Sequence, residues 1–276
     1  MTLSGVFLVS YIKSLVLCDI SGNQYLPRAI HLRQRIITIA CVLMKKSLEV
    51  IVTKDDSRTL FSNHYQQPFH SLHGALTESK TVFLEGAEVE ELFNSKDRAH
   101  ILEIGFGAGL NWLLTVSLAH KYQTHLTYTA LDQEIPSADL LTDLRYGDLV
   151  GQHPLSSTLI EWRQKFPDKI PNGRYHLIFD NHSNLDLFID DIPSIFLPKN
   201  TFDRLYLDAF SPKVNPRLWS LKFFRKLYDS LQCGGILATY SSAGNVRRAL
   251  TASGFTVTRR PGPPGKREVL AAKKPD

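Results

Sequence analysis

The sequence predicts an α/β fold: a mostly parallel sheet with helices on both faces and a C-terminal antiparallel hairpin. Three observations carry this prediction. From about residue 100 onward, short apolar runs, several ending in an acidic residue, alternate with helix-length segments. The first of these runs opens into a glycine-rich turn, Gly105-Phe106-Gly107-Ala108-Gly109. Near the C-terminus two strand-like runs, 255–259 and 268–272, flank a Pro/Gly loop.

The elements follow in order. Residues 48–53 read as a short strand, and Lys54-Asp55-Asp56-Ser57 as a turn. Residues 100–104 form an apolar strand with Glu103 near its end, and residues 110–122 have the length and spacing of a buried helix. A second strand, 127–131, ends at Asp132. A helical stretch over about 137–166 is interrupted near Gly151 and Pro154. Strands are expected at 175–179, at 185–189 before Asp190-Asp191, and at 202–207 before Asp208. Residues 218–231 read as a helix stopped by Cys233-Gly234-Gly235. A strand at 236–240 and a helix at 243–253, closed by Gly254, complete the rhythm.

Composition sets the outer limits. At 276 residues with 43% apolar content, the chain can bury a substantial core and is not disordered throughout. Only two methionines occur, Met1 and Met44. Met44-Lys45-Lys46-Ser47-Leu48-Glu49 reads like a protein start, so residues 1–43 are expected to be a disordered leader or an upstream-start artefact. An organellar transit peptide is the alternative for this acid-poor segment. Residues 44–276 are then one domain, with a strand-and-loop extension at 44–99. The leader carries +3 of the formal charge of +5, so the remainder carries only +2. Two of the three cysteines, Cys18 and Cys41, also lie in the leader. Cys233 alone supports neither a disulfide framework nor a multi-Cys zinc site, which fits a reducing, cytoplasmic setting. No stretch reaches the ~18 apolar residues of a membrane span.

Ligands of such sheets bind beyond the C-terminal ends of the strands. Glu103, Asp132, Asp191 and Asp208 all fall there. A single carboxylate at such a junction caps a helix; four in series make a polar rim for a ligand with several donors. The glycine spacing Gly105-x-Gly107-x-Gly109 differs from the dinucleotide pattern, in which the third glycine falls three places after the second. The loop has no Lys or Arg, and Glu103 repels phosphate. S-adenosylmethionine, with its sulfonium, ammonium, ribose and adenine, suits these groups better. Glu103 and the loop would face its methionine end, Asp132 its ribose and Asp191 its adenine amine.

The segment from Asp208 through Phe210, Pro212 and Asn215 to Trp219 is the richest in the chain. Its two prolines and Asn give a shaped lip, and Phe210 and Trp219 offer flat faces to a base. The alternative is that both aromatics are core and Asp208 is a cap. Arg247, Arg248, Arg259, Arg260, Lys266 and Arg267 form a basic cluster, either a polyanion footprint or a solvated face. His64, His70 and His73 have no acidic or thiol set to complete a metal site; Tyr65, Phe69 and His70 would instead line a pocket mouth. Ser241-Ser242 lacks the glycines of a nucleophile elbow.

Five motifs in order carry a resemblance. They are Gly74-Ala75-Leu76-Thr77-Glu78-Ser79-Lys80; Leu102-Glu103-Ile104-Gly105-Phe106-Gly107-Ala108-Gly109-Leu110-Asn111; Asp208-Ala209-Phe210-Ser211-Pro212-Lys213-Val214-Asn215-Pro216-Arg217-Leu218-Trp219; Thr239-Tyr240-Ser241-Ser242-Ala243-Gly244-Asn245; and Gly265-Lys266-Arg267-Glu268. Together, over about residues 60–272, they resemble the methyltransferase part of the MnmC-type tRNA wobble-uridine enzymes. The resemblance implies a class I S-adenosylmethionine-dependent (Rossmann-like) sheet and methylation of the exocyclic amine of 5-aminomethyl-2-thiouridine in tRNA. It implies a stand-alone form, without the oxidase domain of bifunctional members. It places Asn111 with the cofactor residues. Asp208 becomes the residue that orients the amine and accepts its proton. Phe210, Pro212, Asn215, Trp219, Arg247, Arg248, Lys266 and Arg267 become substrate contacts. One departure stands out: the family has Glu-Lys after the second strand, and this chain has Asp132-Gln133-Glu134, so Glu134 competes with Asp132 for the ribose.

Overall fold

The computed structural model describes residues 47–276; the expected leader at 1–43 lies outside the described residues. Eleven strands are named β1 to β11 in chain order. Arg98–Ile104 (β4) is the central one. Its run of Ala99, Ile101, Leu102 and Ile104 is at most 4% exposed, because both faces of the strand are covered. Side chains alternate across it. Ile101 packs with Phe83, Trp112 and Tyr206 on one face, while Leu102 and Ile104 pack with Phe224, Leu227 and Leu250 on the other. Glu103 shares the Ile101 face by the same alternation.

Around β4 run His125–Asp132 (β5), Ser183–Ile189 (β7), Phe202–Leu207 (β8) and Leu231–Thr239 (β9), all parallel. Gly173–Ile178 (β6) is antiparallel on one edge, and the hairpin of Thr256–Pro261 (β10) and Glu268–Lys273 (β11) closes the other. The spatial order is β10-β11-β9-β8-β4-β5-β7-β6. The order reverses at β4, whose neighbours β5 and β8 lead in opposite directions, so a crevice opens beyond its C-terminal end. Leu48–Val52 (β1), Arg58–Ser62 (β2) and Gln67–Pro68 (β3) form a separate small antiparallel sheet.

The helices are Ala75–Glu78 (α1), continued by a π-helical stretch Ser79–Glu85, Val89–Ser95 (α2), Leu110–Tyr122 (α3), Ala138–Leu144 (α4), Tyr146–Val150 (α5), His153–Gln164 (α6), Leu221–Ser230 (α7) and Gly244–Ala252 (α8). The expected stretch 137–166 is three helices. Arg145 and Gly151 take the left-handed conformation (φ 54° and 71°) and end the first two, and Pro154 opens the third. The helix expected from 218 starts at Leu221, because Pro216–Trp219 forms a 3-10 turn and Ser220 caps α7 by accepting from Phe223 N at 3.3 Å. Gly234 is not a helix stop but a positive-φ residue (73°) inside β9, near the register shift against β8. Among the described residues no helix is long and apolar enough to cross a membrane.

Candidate active site

Where β4 and β8 end, the chain turns outward and leaves a cavity of about 720 Å³. Gly105 takes φ +92°, and a Cβ there would sit 2.8 Å from the carbonyl oxygen of Asp208. The two strand ends are therefore in backbone contact, and only glycine fits between them. Gly107 (φ +55°) lines the cavity opposite Phe69, whereas Gly109 (φ +80°) packs on Phe106 and starts α3 without facing the cavity. We expect Gly105→Ala to cost at least about 1 kcal/mol in strain alone and to abolish cofactor binding. Denaturation and calorimetry read both, and unchanged cofactor affinity would refute the placement.

Asp132, at the end of β5, is committed to this loop. Its Oδ2 accepts from Gly107 N at 2.8 Å, and its Oδ1 accepts from Gln133 N at 2.7 Å and Glu134 N at 3.3 Å. Burial, only partly offset by these donors, raises its pKa above the ordinary carboxylate value. Glu134 also lines the cavity, with an exposed side chain.

Beneath the loop, a polar cluster holds Asp208. Asn111, only 2% exposed, donates from one Nδ2 to Glu103 Oε1 and Asp208 Oδ2, both at 2.8 Å. The Tyr128 hydroxyl donates to Glu103 Oε2 at 2.9 Å. The amide nitrogen of Asn111 carries two N–H donors and so serves both carboxyl groups at once. Glu103 is fully buried and pushed up to about 8, chiefly by burial against the pull of Asn111 and Tyr128. Asp208 opens onto the cavity. It is held well above the ordinary carboxylate range by burial and then by the Glu103 and Glu78 carboxyls; Asn111 and Lys266 oppose this without cancelling it. Glu103 and Asn111 thus differ from expectation: neither lines the cavity, and both act from below, because alternation turns Glu103 under α3.

Linkage gives Glu103 a signature. Between 4.5 and about 8 the folded carboxyl holds a proton that the unfolded one releases. Its contribution to stability is full below 4.5 and is lost as pH rises to about 8. Glu103→Gln is expected to flatten the fall in stability over this window, as read by denaturant unfolding across pH. An unchanged slope would contradict the burial of this acid.

The lip after β8 also departs from expectation. Phe210 lines the cavity and stacks with Tyr65 (4.3 Å between centroids, tilted 34°) and edge-on with Phe69 (5.2 Å). Asn215 lines it as well. Trp219 does not: it is 6% exposed, packs against Phe224 and Tyr240, and donates from Nε1 to Phe210 O at 2.8 Å. It braces the lip from behind and offers no face to a base. Pro212 shapes the loop without lining the cavity. Asp191 is likewise turned away. Both its oxygens accept from Arg217 at 2.8 Å, while the neighbouring Ile192 reaches the cavity wall.

The basic cluster is not one open face. Arg260 pairs with Glu88, and Arg259 with Glu268 at 3.5 Å. Lys266 enters the cavity, pairing with Glu78 Oε1 at 2.6 Å and lying 4.1 Å above the Tyr240 ring. Arg248 and Arg267 are exposed and Arg247 is half-buried. The small sheet supplies residues that no strand-end motif pointed to: Gln67 donates to Ser211 Oγ at 2.9 Å and so ties the cavity roof to the lip. Buried His70 is bonded to Thr59, and burial lowers its pKa. Among the described residues no group of three His, Cys, Asp or Glu side chains could hold a metal ion.

These features meet known proteins at a definite point. A profile described as S-adenosyl-L-methionine-dependent methyltransferase matches residues 154–275. The chain is 35% identical over 235 residues to the tRNA 5-methylaminomethyl-2-thiouridine biosynthesis bifunctional protein MnmC of Cupriavidus metallidurans, covering 82% of this chain and 34% of that protein. This is an MnmC-type, S-adenosylmethionine-dependent methyltransferase domain. The MnmC protein of Actinobacillus pleuropneumoniae is 29% identical over 245 residues, covering 80% and 34% of the two chains. The crystal structure of MnmC2 from Aquifex aeolicus superposes with a TM-score of 0.67 at 22% identity, over 97% of this chain and 83% of that one, and so shares the fold. The chain spans about a third of the length of the curated relatives it matches.

The MnmC-type site fits its cofactor by charge. Glu78, Asp132, Glu134 and Asp208 line the cavity, with Lys266 the lysine among them. Such an acidic cavity favours a sulfonium and an ammonium over a phosphate. The Gly105–Gly107 backbone permits close approach, and Pro136 and Ile192 give an apolar wall for a flat heterocycle.

Proposed function

We propose that this domain methylates the exocyclic amine of 5-aminomethyl-2-thiouridine at the wobble position of tRNA, using S-adenosylmethionine. The carrying observation is Asp208, seated on the floor of a cavity walled by Tyr65, Phe69 and Phe210. An aromatic wall suits a pyrimidine, and an acid beneath it suits an aminomethyl arm. The relatives' names add support, since MnmC proteins act in biosynthesis of the methylated nucleoside. We read residues 44–276 as one methyltransferase domain and place its activity in the cytoplasm with its tRNA.

Each residue then has a task. S-adenosylmethionine, when bound, supplies an electrophilic methyl on sulfur. The Gly105–Gly107 backbone would hold its methionine part, Asp132 and Glu134 its ribose, and Pro136 and Ile192 its adenine. An alkylamine is mostly protonated at neutral pH and has no lone pair to attack with. Asp208 draws the arm in, takes up its proton and fixes the nitrogen in line. Asn111 fixes the direction of the Asp208 carboxyl. Mass spectrometry of nucleosides from hypomodified tRNA, before and after incubation with protein and cofactor, tests the reading. The expected result is conversion of 5-aminomethyl- to 5-methylaminomethyl-2-thiouridine; no change would overturn it.

A further inference from the structure

We propose that a groove beside the cavity holds the RNA that flanks the target nucleotide. The groove, about 690 Å³, runs between the segment 194–199 and one face of α7. Phe196 stands in it 82% exposed, with Leu221 also exposed. An aromatic ring that free of packing adds nothing to the core, and exposed aromatics of this kind serve as stacking platforms for unpaired bases. Lys199, Lys222 and Arg225 surround it, all exposed, and among the described residues none is in an ion pair with a carboxylate. Lys222 and Arg225 are three residues apart and share one helix face. Lys226 is spent differently, donating to Pro193 O and Ile195 O, which fixes the Phe196 segment against α7. Asp229 is the one acid lining the groove, leaving it strongly basic.

The groove lies next to the cavity along the chain. Ile192 lines the cavity and Ser194 the groove; Leu218 lines the cavity and Leu221 the groove. Three residues of chain span at most ~11 Å, so this face is within reach of the neighbours of a nucleotide seated in the cavity. Cations for phosphates beside a ring for a base fit single-stranded RNA; a protein surface would need acids to meet the same cations and gives no reason for the ring.

This inference rests on the tRNA reading of the cavity, and the test separates the two. The probe is a fluorescein-labelled anticodon stem-loop RNA bearing 5-aminomethyl-2-thiouridine, titrated at several salt concentrations and also used as substrate. Phe196→Ala is expected to weaken binding about 5- to 150-fold with an unchanged salt slope, and to raise KM without altering kcat. Lys222→Ala with Arg225→Ala should lower the salt slope by about 1.4. Cofactor affinity and turnover of the isolated modified nucleoside should stay as in the wild type. If the wild type binds and methylates the RNA while these variants match it, the groove inference falls alone. Equal losses on the isolated nucleoside would make the effect one of folding and overturn it as well. If the wild type neither binds nor methylates the RNA, both readings fall.

Discussion

Asp208→Asn is expected to lower turnover by about 10²–10⁴-fold while leaving S-adenosylmethionine affinity intact. The fold should tolerate the change. The new amide can turn its oxygen to Asn111 Nδ2, which donates to Asp208 Oδ2 at 2.8 Å in the native chain. What it loses is the ability to take a proton. Because burial and the carboxyls of Glu103 and Glu78 raise the Asp208 pKa, the native acid is held back from ionising. Native turnover should therefore rise with pH as Asp208 ionises, and the residual turnover of the variant should lack that rise. The stability change has the opposite sign. Removing an acid with a raised pKa removes a contribution that is lost as pH rises, so the variant gains on the native protein in alkaline buffer. Full turnover in Asp208→Asn, or an identical pH profile, would end its assignment as proton acceptor.

The second large effect concerns Lys266. Its partner Glu78 has a side chain only 6% exposed, while Lys266 is 29% exposed and lies over Tyr240. Breaking a pair of this kind from one side leaves a buried charge without compensation. Lys266→Met is expected to cost about 3 kcal/mol, on the order of 6–12 °C in Tm for a domain of this size. Glu78 would retain Ser71 N, which donates at 2.5 Å, but not its counter-charge. The double variant Glu78→Gln with Lys266→Met should recover much of the loss, since it removes both charges together. kcat/KM should stay depressed in Lys266→Met, in Glu78→Gln alone and in the double variant, because Lys266 and Glu78 flank Asp208 in the cavity. Additive losses in the double variant would show that the pair is not coupled. This lysine thus serves the inside of the site, whereas its position in a run of basic residues suggested a phosphate contact.

That contrast shows what sequence order can and cannot reveal. The β4–loop–α3 unit was legible because apolar runs, glycines and strand-end acids are local signals. Asp132 and Asp208 reach the cavity for the same reason: a parallel strand delivers its last residue to the ligand edge. Glu103 was misplaced by one level because the pattern marks the strand end but not the face, and α3 lies over that face. Asp191 and Trp219 were claimed by partners, Arg217 and the Phe210 carbonyl, that no local rule brings to them. Tyr65, Gln67 and Glu78 belong to a segment without the α/β rhythm, and their role depends on how the small sheet lies over the cavity.

The roof and walls of the cavity come from distant parts of the chain. Gln67 meets Ser211 across 144 residues, and Arg260 meets Glu88 across 172. Lys266 joins Glu78 on the same side. Contacts of such range carry a larger loop-closure cost than local ones, and folds rich in them form slowly. During synthesis the central strands can pair while the cavity still lacks its Lys266 wall, so the lining is complete only once the C-terminal hairpin docks. The hairpin therefore completes the site: a chain cut short before it is expected to hold most of the sheet and to lack the Lys266 wall of the cavity.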